Sequence, residues 1–147
     1  MLVLAKLQLA CLLACLVPVA CAGGQEGEEE EVKKEGHVFI LNEKNFDAFV
    51  ERHTNVLVAF YSPLSRRCDL FMPRFATVAA RLAAEEYDVR LAKVDVAHSS
   101  CVSLCHAYSV GPLPRIVLFR GDKRAAYYDG YWSVESLILW LKHMIPE

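Results

Sequence analysis

The side chains best suited to chemistry lie in the stretch SPLSRRCDLFMP, residues 62–73, where a serine and a cysteine are three positions apart. Cys68 falls at the start of a predicted helix, whose free N–H groups and dipole stabilise a thiolate. A second thiol three residues earlier would allow the two sulfurs to form and transfer a disulfide. That position holds Ser65, whose hydroxyl cannot form a disulfide and is barely ionised at neutral pH. The stretch therefore predicts a thiol site that keeps Cys68 and lacks its partner.

Two further thiols lie close together along the chain. Cys101 and Cys105 are four residues apart on a predicted short helix, where the Cα separation is near the upper limit for a disulfide and the Cβ vectors are poorly aimed. We expect two half-buried structural thiols, with a local disulfide as the alternative. A metal site that also uses His98 or His106 is a weaker alternative because no fourth ligand is evident. We therefore predict no metal site.

Composition divides the chain into three segments. Residues 1–22 hold one charge and an apolar run that ends in Ala-Cys-Ala, as a cleavable signal peptide does, and an uncleaved anchor is the alternative. Residues 23–36 contain a single apolar residue and predict a disordered acidic tail. Residues 37–147 then form one domain, and the mature form is not expected to insert into a membrane. A net charge of −2 argues against a nucleic-acid partner.

From His37 onward, strand patterns and helix patterns alternate. Residues 55–61, NVLVAFY, form a continuous apolar run, which is typical of a strand buried on both faces. Residues 66–87 carry apolar side chains at three- and four-residue spacings and predict a long helix that Pro73 should kink. Two late strands that meet at RGDKR predict an antiparallel hairpin at the edge. The order β-α-β-α-β-α-β-β-α predicts an α/β fold with a central mixed sheet and helices on both faces.

Five stretches, NFDAFV, NVLVAFYSP, LAKVDV, YSVGPLPRIVLF and YYDG, occur in the order and near the spacing of one known family. The chain resembles the first thioredoxin-like domain of the protein disulfide isomerase family. The resemblance implies a thioredoxin fold with an extra N-terminal strand and helix. Within the box that carries Cys68, Leu64 takes the place of the family's tryptophan, and Ser65 takes the place of its first cysteine. Cys68 keeps the second cysteine.

The resemblance also implies roles for residues outside the box. Pro114 matches a proline whose preceding bond is cis and which faces the box. Lys93 matches a buried lysine whose acid partner lies on the neighbouring strand. Ala59 stands in the place of that acid, so we expect the proton-transfer pair to be missing. Arg120 matches an arginine that tunes the second cysteine.

Two functions are consistent with the altered box. The first is a protein disulfide isomerase-like binding domain without efficient thiol–disulfide oxidoreductase activity, which holds unfolded polypeptides or partner proteins and assists folding. Its groove is predicted to be lined by Tyr61, Leu64, Pro112, Leu113 and Pro114. The alternative is a single-thiol disulfide reductase or isomerase that acts through Cys68. Arg66 and Arg67 beside that thiol would favour its thiolate.

Arg66 and Arg67 also form a basic tip on the predicted helix. Positive charge in a first helical turn is unfavourable, so helix stability does not account for the pair. We expect the tip to contact an acidic segment of a partner or of this chain's own tail. The resemblance implies no cofactor and a place in the lumen of the endoplasmic reticulum. Because no Lys-Asp-Glu-Leu type signal is present, secretion is an alternative, and the chain is also consistent with a fragment or short isoform of a longer protein.

Overall fold

The computed structural model describes residues 31–121 and 124–146. The predicted signal peptide, residues 1–22, and most of the predicted acidic tail lie outside the described residues. The elements in chain order are β1 (Lys34–Glu35), β2 (Val38–Leu41), α1 (Phe46–Arg52), β3 (Val56–Tyr61), α2 (Arg66–Ala84), β4 (Arg90–Asp95), a 3-10 turn (Ser99–Cys101), α3 (Val102–Ala107), β5 (Arg115–Phe119), β6 (Ala125–Tyr127) and α4 (Val134–Met144).

The described strands form one mixed sheet in the order β1-β2-β4-β3-β5-β6. Strands β2, β4 and β3 are parallel, whereas β1, β5 and β6 each run antiparallel to the strand beside them. The three parallel strands end at one side of the sheet, which we call its carboxyl end. Strands β5 and β6 form the predicted antiparallel hairpin. This arrangement confirms the predicted α/β fold with its central mixed sheet.

The sheet begins before His37, where the sequence had placed the start of the domain. Lys34 and Glu35 form β1 and pair with Phe39 and Val38 on β2. The chain reverses at Gly36, which has a φ of +59° that glycine adopts without steric cost. The charged composition of this segment is compatible with an outermost strand, where charges face solvent. Part of the predicted disordered tail is therefore an edge strand.

Two apolar layers cover the two faces of the sheet. Helices α2 and α4 pack on one face, against side chains that include Leu57 and Ala59 of β3. Helix α1 and helix α3 pack on the other face, against Val58 and Phe60. All residues from Val56 to Phe60 are fully buried, which explains why β3 is an unbroken apolar run. None of the helices within residues 31–121 and 124–146 is both long and apolar enough to cross a membrane.

Gly130, in the loop between β6 and α4, packs against the ring of Tyr128. A Cβ at this position would lie 2.6 Å from Tyr128 Oη. The Tyr128 hydroxyl donates a hydrogen bond to the Tyr131 carbonyl at 2.5 Å, so the ring cannot move aside without losing that bond. We predict that Gly130→Ala lowers the free energy of unfolding by about 1–3 kcal/mol, as measured by urea denaturation.

Gly111→Ala provides the matched control, because nothing lies within 4 Å of a Cβ added there. This variant should keep the stability of the original chain. Equal stability of the two variants would contradict the proposed close contact at Tyr128.

Candidate functional site

The box that carries Cys68 lies at the carboxyl end of the sheet, between β3 and α2. A turn closes as the Ser65 N–H donates to the Ser62 carbonyl at 3.1 Å. The Leu64 N–H donates to Ser62 Oγ at 3.2 Å. Ser65 is the N-cap residue of α2, but its side chain makes no capping hydrogen bond. The position of the missing thiol is therefore an ordinary helix start that carries a hydroxyl.

Cys68 is the third residue of α2 and is only 1% exposed. Its side chain faces the layer between α2 and the sheet, whereas Arg66 and Arg67 lie on the solvent side of the same turn. Leu64, just before the helix, is 89% exposed. An external disulfide therefore meets Leu64 and the arginines, and reaches the thiol only after local movement.

A cavity of about 380 Å³ lies beside Cys68. It brings together three residues that the sequence had predicted for the site, namely Tyr61, Cys68 and Lys93, and it also contains Glu35, which sequence reasoning missed. The remaining lining residues come from β2, the turn after β3 and α2: Val38, Pro63, Asp69, Met72, Pro73, Phe75 and Ala76.

Lys93 points into this cavity from β4 with a side chain that is 16% exposed. Ala59 lies directly opposite it on β3, so the acid of the neighbouring strand is absent, as predicted. Lys93 nevertheless has a carboxylate partner from another strand. Lys93 Nζ forms an ion pair with Oε2 of Glu35, because the turn at Gly36 brings β1 alongside β2 with Glu35 on the same face of the sheet.

The ion pair alters the acidity of Glu35. The hydrogen bond from Lys93 and, next, its positive charge lower the pKa of the Glu35 carboxyl below its ordinary value of 4.5. The ammonium of Lys93 also lies 5.6 Å from the ring centroid of Tyr61. Burial raises the pKa of the Tyr61 hydroxyl, and the charge of Lys93 opposes that rise. The site thus contains one ammonium that interacts with both a carboxylate and an aromatic ring.

The proline loop lies at the same end of the sheet as the box. The Leu113–Pro114 peptide bond is cis, as the sequence predicted. Arg115, the next residue, pairs with Phe60 near the end of β3, so Pro112, Leu113 and Pro114 approach the end of β3. Pro112 is exposed, Leu113 is half-buried and Pro114 is buried.

Arg120 does not belong to this site, and its predicted role in tuning Cys68 is wrong. Strand β5 runs antiparallel to β3 and pairs Phe119 with Val56. Arg120 therefore lies where β3 begins, whereas Cys68 follows the end of β3. A strand rises about 3.3 Å per residue, so the length of β3 keeps the two residues roughly 15–20 Å apart.

Two aromatic residues that sequence reasoning missed lie beside the box. Trp132 packs against Phe71 of α2, and the Arg67 guanidinium lies 5.7 Å from its ring centroid. Arg74 donates a hydrogen bond to the Trp132 carbonyl at 2.8 Å. Tyr131, the residue before it, is 85% exposed. The signal in the sequence was a Tyr-Trp pair between a glycine and the serine that caps α4.

Cys101 and Cys105 form neither a disulfide nor a ligand cluster with the described residues. Cys68, Cys101 and Cys105 are free thiols, so the alternative of a local disulfide is not observed. Burial, and next the neighbouring Cys101, raise the pKa of Cys105. Within the part of the chain that the structure describes, no three His, Cys, Asp or Glu side chains are grouped so as to hold a metal ion.

Comparison with known proteins identifies the family. The family profile described as Thioredoxin matches residues 37–143. The chain belongs to the thioredoxin family. It is 34% identical over 129 residues to protein disulfide-isomerase from Gallus gallus, which covers 86% of this chain and 25% of that protein. It is 35% identical over 113 residues to protein disulfide isomerase-like 1-4 from Oryza sativa subsp. japonica, which covers 76% of this chain and 20% of that protein.

A solved structure narrows the family assignment from thioredoxin to protein disulfide-isomerase. The first thioredoxin domain of mouse protein disulfide-isomerase A4 superposes with a TM-score of 0.73 at 29% identity, over 86% of this chain and 89% of that one. The chain is therefore a thioredoxin-like domain of the protein disulfide-isomerase family. It spans about a quarter of the length of the Gallus gallus relative.

The lowered pKa of Glu35 predicts how its ion pair contributes to stability as pH changes. A carboxyl with a lowered folded-state pKa stabilises the fold above its unfolded-state pKa, and the contribution is lost as pH falls through the folded-state value. Glu35→Gln should therefore be less stable than the original chain at neutral pH, and the difference should disappear as pH falls below 4.5. Urea denaturation between pH 3 and pH 7 measures this difference.

Glu51→Gln, an exposed carboxylate on α1, serves as the charge-matched control. A stability difference for Glu35→Gln that stays constant down to the lowest pH would contradict the assigned role of the ion pair.

Proposed function

We propose that this chain binds non-native polypeptides or partner proteins in the secretory pathway and assists their folding, without efficient turnover of disulfides. The observation that supports the proposal is the exposure pattern of the box. Leu64, Arg66 and Arg67 are exposed, whereas the single thiol, Cys68, is buried. The predicted signal peptide at residues 1–22 supports a place in the lumen of the endoplasmic reticulum, with secretion as the alternative destination.

The geometry of the box supports weak or absent exchange chemistry. Attack on a substrate disulfide needs an accessible thiolate, and a second thiol is needed to release the mixed disulfide. Ser65, which is half-buried, stands where the family has its attacking thiol, and its hydroxyl cannot form a disulfide with substrate sulfur. Cys68 is 1% exposed, so it is poorly placed to take over the first step.

The surface around the box supports polypeptide binding. Leu64 and Tyr131 are 89% and 85% exposed. Single exposed apolar residues are normal on protein surfaces, but Leu64 precedes the first turn of α2, and Tyr131 precedes Trp132, whose ring contacts Arg67 in that turn. An extended client could lie along them and reach the loop at Pro112 and Leu113, as in strand addition.

The alternative is a single-thiol reductase or isomerase that uses Cys68. The cavity beside Cys68 favours it, because that cavity gives a side chain or small reagent a space next to the sulfur. The two functions differ in their need for the thiol. Binding through Leu64 and Tyr131 requires no sulfur, whereas the alternative is lost in Cys68→Ala.

Binding of a reduced and alkylated polypeptide, which cannot exchange disulfides, tests the proposed function. We predict that Leu64→Ser/Tyr131→Ser weakens binding about fivefold or more, as measured by fluorescence anisotropy of the labelled polypeptide. Cys68→Ala should bind as the original chain does.

The matched control is Val102→Ser/Leu139→Ser, which removes two other exposed apolar side chains, on α3 and α4. Equal weakening in the control, or undiminished binding by Leu64→Ser/Tyr131→Ser, would contradict the assigned surface. Loss of binding in Cys68→Ala would contradict the claim that binding requires no sulfur.

The basic tip supports a preference for acidic clients. Arg66 and Arg67 are exposed in the first turn of α2, where Asp69 is the acidic residue. Their charge opposes the helix dipole, and binding an acidic segment would relieve that cost. The chain enters β1 along the sheet from its carboxyl end, because the Ile40 N–H donates to the Lys33 carbonyl at 2.8 Å. Lys33 therefore lies at the end of the sheet that carries the tip, and the acidic residues 26–31, EGEEEE, precede it in the sequence.

Salt dependence tests the tip. We predict that an acidic peptide binds the original chain more weakly as salt rises, because salt screens exposed charges, and that Arg66→Ser/Arg67→Ser removes this dependence. Arg81→Ser/Arg90→Ser makes the same charge change at the end of α2 and the start of β4 and should keep it. An unchanged salt dependence in Arg66→Ser/Arg67→Ser would contradict the assignment.

Deletion of residues 23–30 distinguishes the two sources of acidic charge. Tighter peptide binding after the deletion would show that the chain's own tail competes for the tip. Unchanged binding would show that the chain's own tail does not occupy the tip, which is then available to acidic segments of partners.

A further inference from the structure

The cavity beside Cys68 contains an unusual distribution of charge. Its charged lining residues are Glu35, Asp69 and Lys93. Glu35 lies at the rim with a side chain that is 68% exposed, whereas Lys93 lies deeper at 16% exposed. A group that enters the cavity toward the thiol therefore passes the carboxylate and meets the ammonium.

The counter-charge of Lys93 comes from β1, which is not its neighbour in the sheet. Strand β4 lies between β2 and β3. On the β3 side, Ala59 offers Lys93 only a methyl group. On the other side, the β2 residue that pairs with Lys93 is Ile40, which is also apolar, and Glu35 of β1 forms the ion pair. A half-buried ammonium without a partner is unfavourable, so this contact determines whether the ammonium in the cavity is paired or left as an unpaired positive charge.

We propose that Glu35 is a positioning residue for the Cys68 cavity: by pairing with Lys93 it holds the ammonium and neutralises the charge that an entering group meets beside the thiol. The role goes beyond the proposed function, in which Cys68 takes no part. Without Glu35 the ammonium of Lys93 is unpaired and the lining is less negative, so anionic reagents approach Cys68 more readily. With Glu35 in place, the two carboxylates outnumber the one ammonium of the lining, and anionic groups are disfavoured relative to neutral ones.

A charge effect of Glu35 and simple covering of the cavity by β1 predict different reactivities of Cys68. If Glu35 acts through charge, its loss changes the reactivity of Cys68 toward anionic reagents more than toward neutral ones. If β1 only covers the cavity, its loosening speeds both kinds of reagent equally. Two reagents with the same leaving group and similar size, iodoacetate and iodoacetamide, distinguish these cases, since each alkylates the thiolate with release of iodide.

The experiment measures alkylation rates of the full chain by peptide-resolved mass spectrometry. We predict that Glu35→Gln raises the ratio of iodoacetate to iodoacetamide rates at Cys68 by about threefold or more. Lys93→Met should lower that ratio. In Glu35→Gln/Lys93→Met, the effect of Glu35→Gln should be smaller, because no ammonium remains for Glu35 to hold in place. High salt should reduce all of these differences.

Controls are present inside and outside the site. Cys101 and Cys105 report the same ratio in the same sample and should not respond to Glu35→Gln. Glu85 lies at the end of α2, far from the box, and its Oε2 is 2.5 Å from Nζ of Lys142. Glu85→Gln removes this ion pair and should leave the ratio of iodoacetate to iodoacetamide rates at Cys68 unchanged. Circular dichroism establishes that each variant is folded.

Three outcomes would overturn the proposal. The first is an unchanged ratio in Glu35→Gln, and the second is an equal rise with both reagents. The third is a Cys68 that reacts with neither reagent in any folded variant, because the cavity then gives no access to the thiol. None of these outcomes bears on client binding through Leu64 and Tyr131, which Glu35 does not contact in the proposed arrangement.

Discussion

Burial of β3 on both faces is the constraint on which the rest of the structure depends. Its residues Val56 to Phe60 are fully buried, so neither face can accept an unpaired polar group without a large penalty. The strand is held by β4 on one side and β5 on the other. Because α2 follows β3 in the chain, this arrangement fixes where α2 begins. It also places Lys93 of β4 opposite Ala59 of β3. The box, the proline loop and the cavity all take their positions from it.

The two departures from the family pattern at this site, Ser65 and Ala59, lie at different depths in the domain. Ser65 alters the exposed end, where a substrate sulfur would be attacked, and leaves a surface whose exposed groups are apolar or basic. Ala59 alters the buried layer, where an acid would face Lys93. The second change is compensated from β1, because Glu35 pairs with Lys93. The first change has no such replacement among the described residues, since Cys68 is the one thiol that lines the cavity. In the function we propose, the missing thiol at position 65, rather than the missing acid at position 59, limits exchange chemistry.

Sequence patterns predicted the parts of the fold that burial determines. The apolar run of β3 and the spacing in α2 were recognisable because each has a strong local signature, whereas the cis bond before Pro114 was predicted from the family resemblance. Strand β1 was missed because an edge strand of two residues is held by main-chain hydrogen bonds, which leave no apolar pattern. Glu35 was missed for the same reason, since its partner is brought near only by the turn at Gly36. Arg120 was misplaced because a match by residue type ignores the antiparallel register of β5.

We infer that the domain is inactive in disulfide exchange because it lacks a thiol at position 65. The test is reduction of insulin in glutathione buffer by the original chain, Cys68→Ala and Ser65→Cys. We expect background rates for the first two and a clear gain for Ser65→Cys, which restores the attacking thiol of the box. Turnover by the original chain that disappears in Cys68→Ala would contradict this inference.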